Sequence, residues 1–481
     1  MGELKDKTIS GVKWNAIGRF SSQGVHFVVG LILARLLAPS DYGVVGMVAI
    51  FFAIAQTFID SGFGSALIRK LDCDDNDYST AFFFNVVVGL VCCLVLSLGA
   101  SYIADFFRQP VLKSLIKVMS LNMFIGSLAI VHSAQLTSNV DFKTLANINL
   151  ITAIVSGVAG VTMAYLGLGV WSLVFQNTIA SIFRVVCLFG VTHWCPKFVF
   201  DRVSFKYLFN FGSKILSASI LHTIYSNLTT LIIGKYYTAQ DLGYYSRGLQ
   251  LAQFPSSNVS GILQSVTYPV LSKLQNDDSR LITSYRKLIS MTSLAIFFGM
   301  FLLASLAEPL VSLILTDKWL NSVAYVQIFC FAYMFDHICS MNLNILYVKG
   351  FSNLVLRLEI IKKTISISML IVAVPLGVKA ICIASVIYTQ IAVIINTYYT
   401  GKLFGLGYLV QVKDFAKYFI CSFLSVIPAI LLTQTEISNI IQLLAGTTIS
   451  CFLYWMLLQN DLFFKEFIVI AKQFLNRYIQ N

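Results

Sequence analysis

Five polar residues, Asn15, Arg19, Ser22, Gln23 and His26, recur at i, i+4, i+7, i+8 and i+11 within an apolar stretch near the start of the chain. At 3.6 residues per turn, that spacing gathers them on one face of a helix. An arginine at the centre of a membrane span costs at least about 2.5 kcal/mol, so it needs a wet cavity or a partner. One cation among amides, hydroxyls and an imidazole is suited to an anionic ligand. Comparable stripes follow at Ser219, His222, Ser226, Thr229 and Thr230, and at Arg247, Gln250, Asn258, Gly261 and Ser265, the latter bent by Pro255. The competing reading is helix-on-helix packing, because Ser, Asn and His commonly bridge spans, and Arg247 could snorkel from its span end. Among the carboxylates, Asp60 is expected near the depth of Arg19, in a structural ion pair, and Asp336 sits mid-span beside His337. Both are candidates for coupling to an ion. Glu359 and Lys363, at i and i+4, are expected to pair on a helix surface.

The elements that must position these residues are membrane helices. The chain has 481 residues, 57% hydrophobic and only 12% charged, with a mean hydropathy of +0.79. Soluble domains are about a quarter charged. The apolar runs are continuous and of span length, not alternating, which predicts an all-α integral membrane protein of about fourteen spans. Three of them are expected at 12–37, 242–273 and 354–376. The net charge of +12 is scattered over short loops, so no nucleic-acid partner is expected. Ten cysteines without a C-x-x-C motif read as small apolar packing residues, and five histidines lack ligand spacing, so neither metal nor cofactor is expected. The longest loop is about 20 residues and no nucleophile–base grouping is visible, which argues against an enzyme. The charged start, Met1–Lys7, predicts no cleavable signal.

The chain also repeats itself. Leu31-Ile32-Leu33-Ala34-Arg35 is echoed by Leu231-Ile232-Ile233-Gly234-Lys235, and Asp41-Tyr42-Gly43 by Asp241-Leu242-Gly243. The offset is 200 in both cases (231 − 31; 241 − 41). Six spans precede the second copy, so the two copies enter the membrane in the same direction, as parallel repeats. The expected organisation is an N-lobe over 1–200, a C-lobe over 201–403, two extra spans over 404–460 and an amphipathic tail over 461–481. Basic residues collect on one face: Lys5, Lys7, Arg69, Lys70, Lys197, Lys206, Lys273, Arg286, Lys349, Lys362, Lys402 and Lys413, with others near them. Little lies opposite beyond Arg35, Arg108, Lys113, Lys235, Lys318 and Lys379, which predicts both termini in the cytoplasm.

Trp14, the run Leu33-Ala34-Arg35-Leu36-Leu37-Ala38-Pro39-Ser40-Asp41-Tyr42-Gly43 and the run Asp60-Ser61-Gly62-Phe63-Gly64-Ser65-Ala66-Leu67-Ile68 resemble the polysaccharide transporter family. Asp241–Arg247, Tyr268–Leu274 and Lys318-Trp319 fit the same pattern. This family, with its Wzx-type flippases, lies within the multidrug/oligosaccharidyl-lipid/polysaccharide (MOP) exporter superfamily. The resemblance covers roughly residues 8–400. It implies a V-shaped transporter of two six-helix lobes that alternates access and moves an undecaprenyl-diphosphate-linked oligosaccharide across the bacterial cytoplasmic (inner) membrane. The cargo would serve O-antigen, capsule or exopolysaccharide export. Relatives use cavity cations for the diphosphate and a lateral gap near spans one and eight for the lipid tail. Arg19 and Arg247 stand on those spans and take the role of cavity cation only. The implied partners are the lipid-linked substrate, membrane lipid, and H+ or Na+ as driving ion. The protein would be a monomer, with a polysaccharide polymerase as a conceivable associate. A cation-coupled multidrug exporter, a lipid II flippase and a membrane-embedded polymerase or ligase remain as alternatives.

Overall fold

The computed structural model describes the backbone of residues 2–60, 62–70 and 72–469, and their side chains except for residues 2–13, 15, 16, 19 and 258–266. The side chains of three expected site residues, Asn15, Arg19 and Asn258, and the tail beyond 469 therefore lie outside the described residues. All regular structure among the described residues is helical. The first nine helices are α1 (Gly2–Leu36), α2 (Pro39–Asp60), α3 (Phe63–Arg69), α4 (Asp75–Phe107), α5 (Leu112–Ser127), α6 (Ile130–Ser138), α7 (Phe142–Tyr165), α8 (Val170–Thr192) and α9 (Arg202–Tyr236). There follow α10 (Ala239–Lys273), α11 (Asp278–Ser305), α12 (Ala307–Leu315), α13 (Val323–Tyr333), α14 (Asp336–Val348), α15 (Ser352–Ala373), α16 (Val378–Phe404), α17 (Tyr408–Thr433) and α18 (Asn439–Leu458).

Among the described residues, 11 helical stretches are long and apolar enough to cross a membrane. The pairs α2–α3, α5–α6 and α13–α14 each lie within one such stretch. The other three expected spans fall on α1, α10 and α15, which are more polar. Helix α15 carries Arg357, Glu359, Lys362 and Lys363, and α1 contributes the shorter apolar run Phe20–Leu36. Glu359 pairs with Lys362 at 2.5 Å, three residues on, where the sequence pointed to Lys363.

The chain groups into two compact units, Met1–Gly243 and Tyr244–Asn481. The boundary falls after α9, later than the break expected near residue 200, because α9 packs along α2 and against α3 and α4. Helix α1 packs along α7, where Leu33 and Leu37 are buried with Ala164 and Leu173. Several helices start on an aspartate that satisfies an unpaired amide of the first turn: Asp74 accepts from Asp77 N, Asp141 from Thr144 N and Asp201 from Ser204 N.

The repeated Asp-x-Gly motif is explained within the first unit. Asp41 Oδ2 accepts from Ala38 N at 2.9 Å, and Asp241 Oδ2 from Thr238 N at 3.2 Å, so each copy caps the helix it starts. Its glycine then allows a close crossing. A Cβ on Gly43 would lie 1.6 Å from the Ala239 carbonyl oxygen, and one on Gly243 would lie 1.9 Å from that of Pro39. The two copies of the motif meet each other reciprocally, each glycine receiving the other copy's backbone.

In the second unit, α17 packs on α11 and α18, so the two extra spans are built into its core. Phe297, Phe301, Phe335, Phe415 and Phe419 form one aromatic cluster there. Residues 462–469 begin the expected amphipathic tail and are helical. This part docks on its own unit: Phe464 is buried near Tyr454, Lys287 pairs with Glu466 at 2.6 Å and Lys417 with Asp461 at 2.7 Å.

Candidate functional site

The second span is interrupted where the sequence reads Asp60-Ser61-Gly62. Helix α2 stops at Asp60 and α3 resumes at Phe63, with Gly62 between them in the left-handed region at φ 70°. A side chain there would be strained, and its Cβ would lie 2.9 Å from Gly212 Cα on α9. The fourth span is interrupted too, between Ser127 and Ile130, and its second half, α6, packs on α3. Interrupted helices free backbone and polar side chains, which persist at membrane depth only where they line a cavity or are buried in protein.

A cavity of about 430 Å³ lies at these breaks. Thr57, Asp60 and Ser65 line it from the second span, Ser133 and Thr137 from α6, and Ile215, Leu216 and Ser219 from α9. Asp60 is exposed, and its Oδ1 accepts from Gln56 Nε2 at 2.9 Å. It makes no ion pair within 4 Å among the described residues; the Arg19 side chain, at whose depth the ion pair is expected, lies outside them. Thr57 donates to the Ala53 carbonyl at 2.8 Å and lies 3.1 Å from the Thr223 hydroxyl. Behind the wall, Arg184 Nη2 donates to Ser133 Oγ at 3.4 Å, while its buried Nε has no hydrogen bond. Sequence reasoning missed Arg184, although its signal was plain: a lone guanidinium in the middle of the apolar run Val170–Thr192.

The other expected residues are placed less convergently. On α1, Gln23 is half-buried and His26 exposed, while Ser22 Oγ folds back onto the Gly18 carbonyl at 2.6 Å. On α9, His222 is exposed, with Ser226 Oγ 3.4 Å from its Nε2. On α10, Arg247 is buried, donates to Gln250 Oε1 at 2.8 Å and stacks over the Trp319 ring at 5.2 Å. Its guanidinium is thus held inside the second unit, not extended to the surface. Asp336 starts α14 immediately after a third break, at Met334-Phe335; it is half-buried, and no hydrogen bond or ion pair reaches it among the described residues. The neighbouring His337 is buried, its Nε2 2.8 Å from Ser293 Oγ. Among the described residues no grouping of three or more His, Cys, Asp or Glu could hold a metal ion.

A family model described as "Polysaccharide biosynthesis protein" matches residues 32–324. The chain belongs to this family. Similar proteins include the teichuronic acid biosynthesis protein TuaB of Bacillus subtilis (strain 168), 22% identical over 364 residues and 74% of each chain. The succinoglycan biosynthesis transport protein ExoT of Rhizobium meliloti (strain 1021) is 25% identical, over 65% of this chain and 64% of its own. Among solved structures, the lipid II flippase MurJ in an inward closed conformation superposes with a TM-score of 0.73. It covers 93% of this chain and 99% of its own at 15% identity, a likeness of fold alone. The protein is therefore a multi-pass membrane transporter of polysaccharide biosynthesis and not an enzyme. The family stretch contains Asp60, Arg184 and Arg247; it begins after the polar stripe of α1 and ends before Asp336.

Proposed function

We propose that the protein is a flippase that carries an undecaprenyl-diphosphate-linked oligosaccharide from the inner to the outer leaflet of the bacterial cytoplasmic membrane by alternating access. The observation that carries this reading is the family match over residues 32–324, which takes in the interrupted second span, its polar cavity and Arg247. A diphosphate and several sugars cannot cross about 30 Å of hydrocarbon unaided, whereas the prenyl tail is already solvated by lipid. The protein must therefore supply cations for the phosphates and amides, hydroxyls or imidazoles for the sugars.

In this reading Arg19 meets the diphosphate. Asn15, Gln23, His26, His222, Gln250 and Asn258 offer polar contacts, and Arg247 becomes available when its bond to Gln250 opens. Asp60 and Asp336 are the groups that could couple the cycle to H+ or Na+. Membrane potential, negative inside, adds a push of about 2.3 kcal/mol per charge per 100 mV on an outward-moving anion. In this reading two lobes rock to alternate access, both termini are cytoplasmic, and a monomer suffices.

The test is transport in proteoliposomes. With a fluorescent lipid-linked oligosaccharide, the parent protein is expected to move label between leaflets and Arg19→Glu to abolish that movement while still inserting and folding. Full transport by Arg19→Glu would remove Arg19 from the mechanism. Transport of organic cations in place of the lipid-linked sugar would overturn the flippase reading.

A further inference from the structure

The cavity beside Asp60 has a chemistry of its own. Among the described residues its polar wall consists of one carboxylate and the hydroxyls of Thr57, Ser65, Ser133, Thr137 and Ser219, with no Lys or Arg. A cation, Arg184, stands behind Ser133 and is bound to it at 3.4 Å. Among the described residues, one negative and one positive group leave the site close to neutral. A diphosphate would meet the Asp60 carboxylate first and be repelled, because phosphate recognition needs convergent donors, not an anion. A divalent metal ion would find a single carboxylate and would be opposed by the Arg184 charge. A neutral polyol has neither difficulty. Its hydroxyls can donate to Asp60 and exchange hydrogen bonds with the serines and threonines, while its C–H faces lie against Ile130, Ile215 and Leu216. The volume, about 430 Å³, is within the range of small-ligand pockets, roughly 300–1,000 Å³.

We infer that this cavity is a subsite for a neutral sugar unit of the cargo, separate from the cations that meet the diphosphate. This inference rests on the flippase reading and deepens it: Asp60 sets sugar preference, favouring neutral hexoses over uronic acids. Sites that hydrogen-bond a ligand hydroxyl discriminate strongly, because their buried polar groups are left unpaired when that hydroxyl is missing.

The experiment measures binding to the full chain in lipid nanodiscs. The probes are undecaprenyl diphosphate alone and the same lipid bearing glucose, galactose, N-acetylglucosamine or glucuronic acid. At least one neutral sugar is expected to bind roughly tenfold more tightly than the bare lipid, a gain of the size of one charge-assisted hydrogen bond, and glucuronic acid is not. Asp60→Asn should lose that gain while binding bare undecaprenyl diphosphate as the parent does. Ser133→Ala with Thr137→Val, on the opposite wall, should reduce the same gain and so guards against a folding defect at Asp60. The inference is overturned if no neutral sugar improves on the bare lipid, if the gain survives both variants, or if Asp60→Asn weakens bare-lipid binding equally. Failure of every undecaprenyl diphosphate probe to bind the parent overturns the flippase reading along with it.

Discussion

Two polar groupings, one in each unit, are built from similar residues and arrive at opposite states. In the second unit Gln411, fully buried, accepts from Asn342 Nδ2 at 2.9 Å and donates back to Asn342 Oδ1 at 2.9 Å and to the Leu406 carbonyl at 2.8 Å. Thr400 donates to Asn342 Oδ1 at 2.7 Å, and the Tyr285 hydroxyl lies 3.4 Å from Gln411 Oε1. This network ties α11, α14 and α16 to α17 and closes on itself. Among the described residues the Asp60 cavity in the first unit does not close: its carboxylate accepts from Gln56, and the guanidinium behind it keeps a buried Nε without a hydrogen bond. Polar residues that satisfy one another hold helices together, and those left open are available to a ligand. Residue type alone does not separate the two cases.

The largest effect should come from opening the closed network. Gln411→Leu keeps the volume but strands the polar atoms of Asn342, Thr400 and the Leu406 carbonyl, a cost of about 2–4 kcal/mol. Thermal unfolding in detergent should show the loss clearly. A variant as stable as the parent would mean that the network is ornamental and that the contrast with Asp60 has no energetic content. Next comes the crossing of the two Asp-x-Gly copies. Gly243→Ala would drive a methyl to within 1.9 Å of the Pro39 carbonyl, so the helices must separate, at about 1–3 kcal/mol. Gly43→Ala should behave alike, because the contact is reciprocal; an effect from one glycine alone would break the symmetry of the repeat.

Much of this was legible in the chain before its structure. Continuous apolar runs locate the helices, and the 200-residue offset picks out the two glycines that meet, though not the reason they are glycine. Stripe counting on α1 was less informative, since Ser22 turns its hydroxyl onto its own helix. The Asn342–Gln411 pair is 69 residues apart and no local pattern announces it. Arg184 was visible as a charge in an apolar run, but its link to Ser133 depends on where the fourth span breaks. Such a break is a backbone event that hydropathy does not record. For the same reason the cavity beside Asp60, the last residue of α2, was not legible: the interruption that opens it leaves no trace in hydropathy.

The third prediction sharpens the comparison directly. Asp60 is exposed and, among the described residues, hydrogen-bonded to Gln56, so Asp60→Asn should change stability by no more than about 0.5 kcal/mol. Transport of its cargo should nevertheless fall about tenfold, which is about 1.4 kcal/mol. Gln411→Leu is expected to show the reverse profile: less folded protein, with normal transport per folded molecule. If both variants lose stability and transport in the same proportion, the open and closed groupings are one kind of site.

The smallest effect concerns a polar group that is satisfied, like Gln411, but at the edge of the helical bundle. Burial alone would raise the pKa of Asp461. The Lys417 ammonium at 2.7 Å and the Phe464 amide outweigh it and hold the carboxyl below its ordinary value of 3.8. A depressed carboxyl pKa contributes stability that is present above the unfolded value and lost as pH falls through the folded one. Docking of residues 462–469 should therefore be constant through neutral and mildly acidic pH and weaken only below the ordinary aspartate range. Lys417 is half in solvent, so the pair is worth under about 1 kcal/mol. Asp461→Asn at neutral pH should raise hydrogen exchange in 462–469 by a few-fold and leave the Asn342–Gln411 amides as protected as before. Unchanged exchange would assign the docking to Phe464 packing alone; faster exchange in both places would mean that the tail and the closed network unfold as one unit.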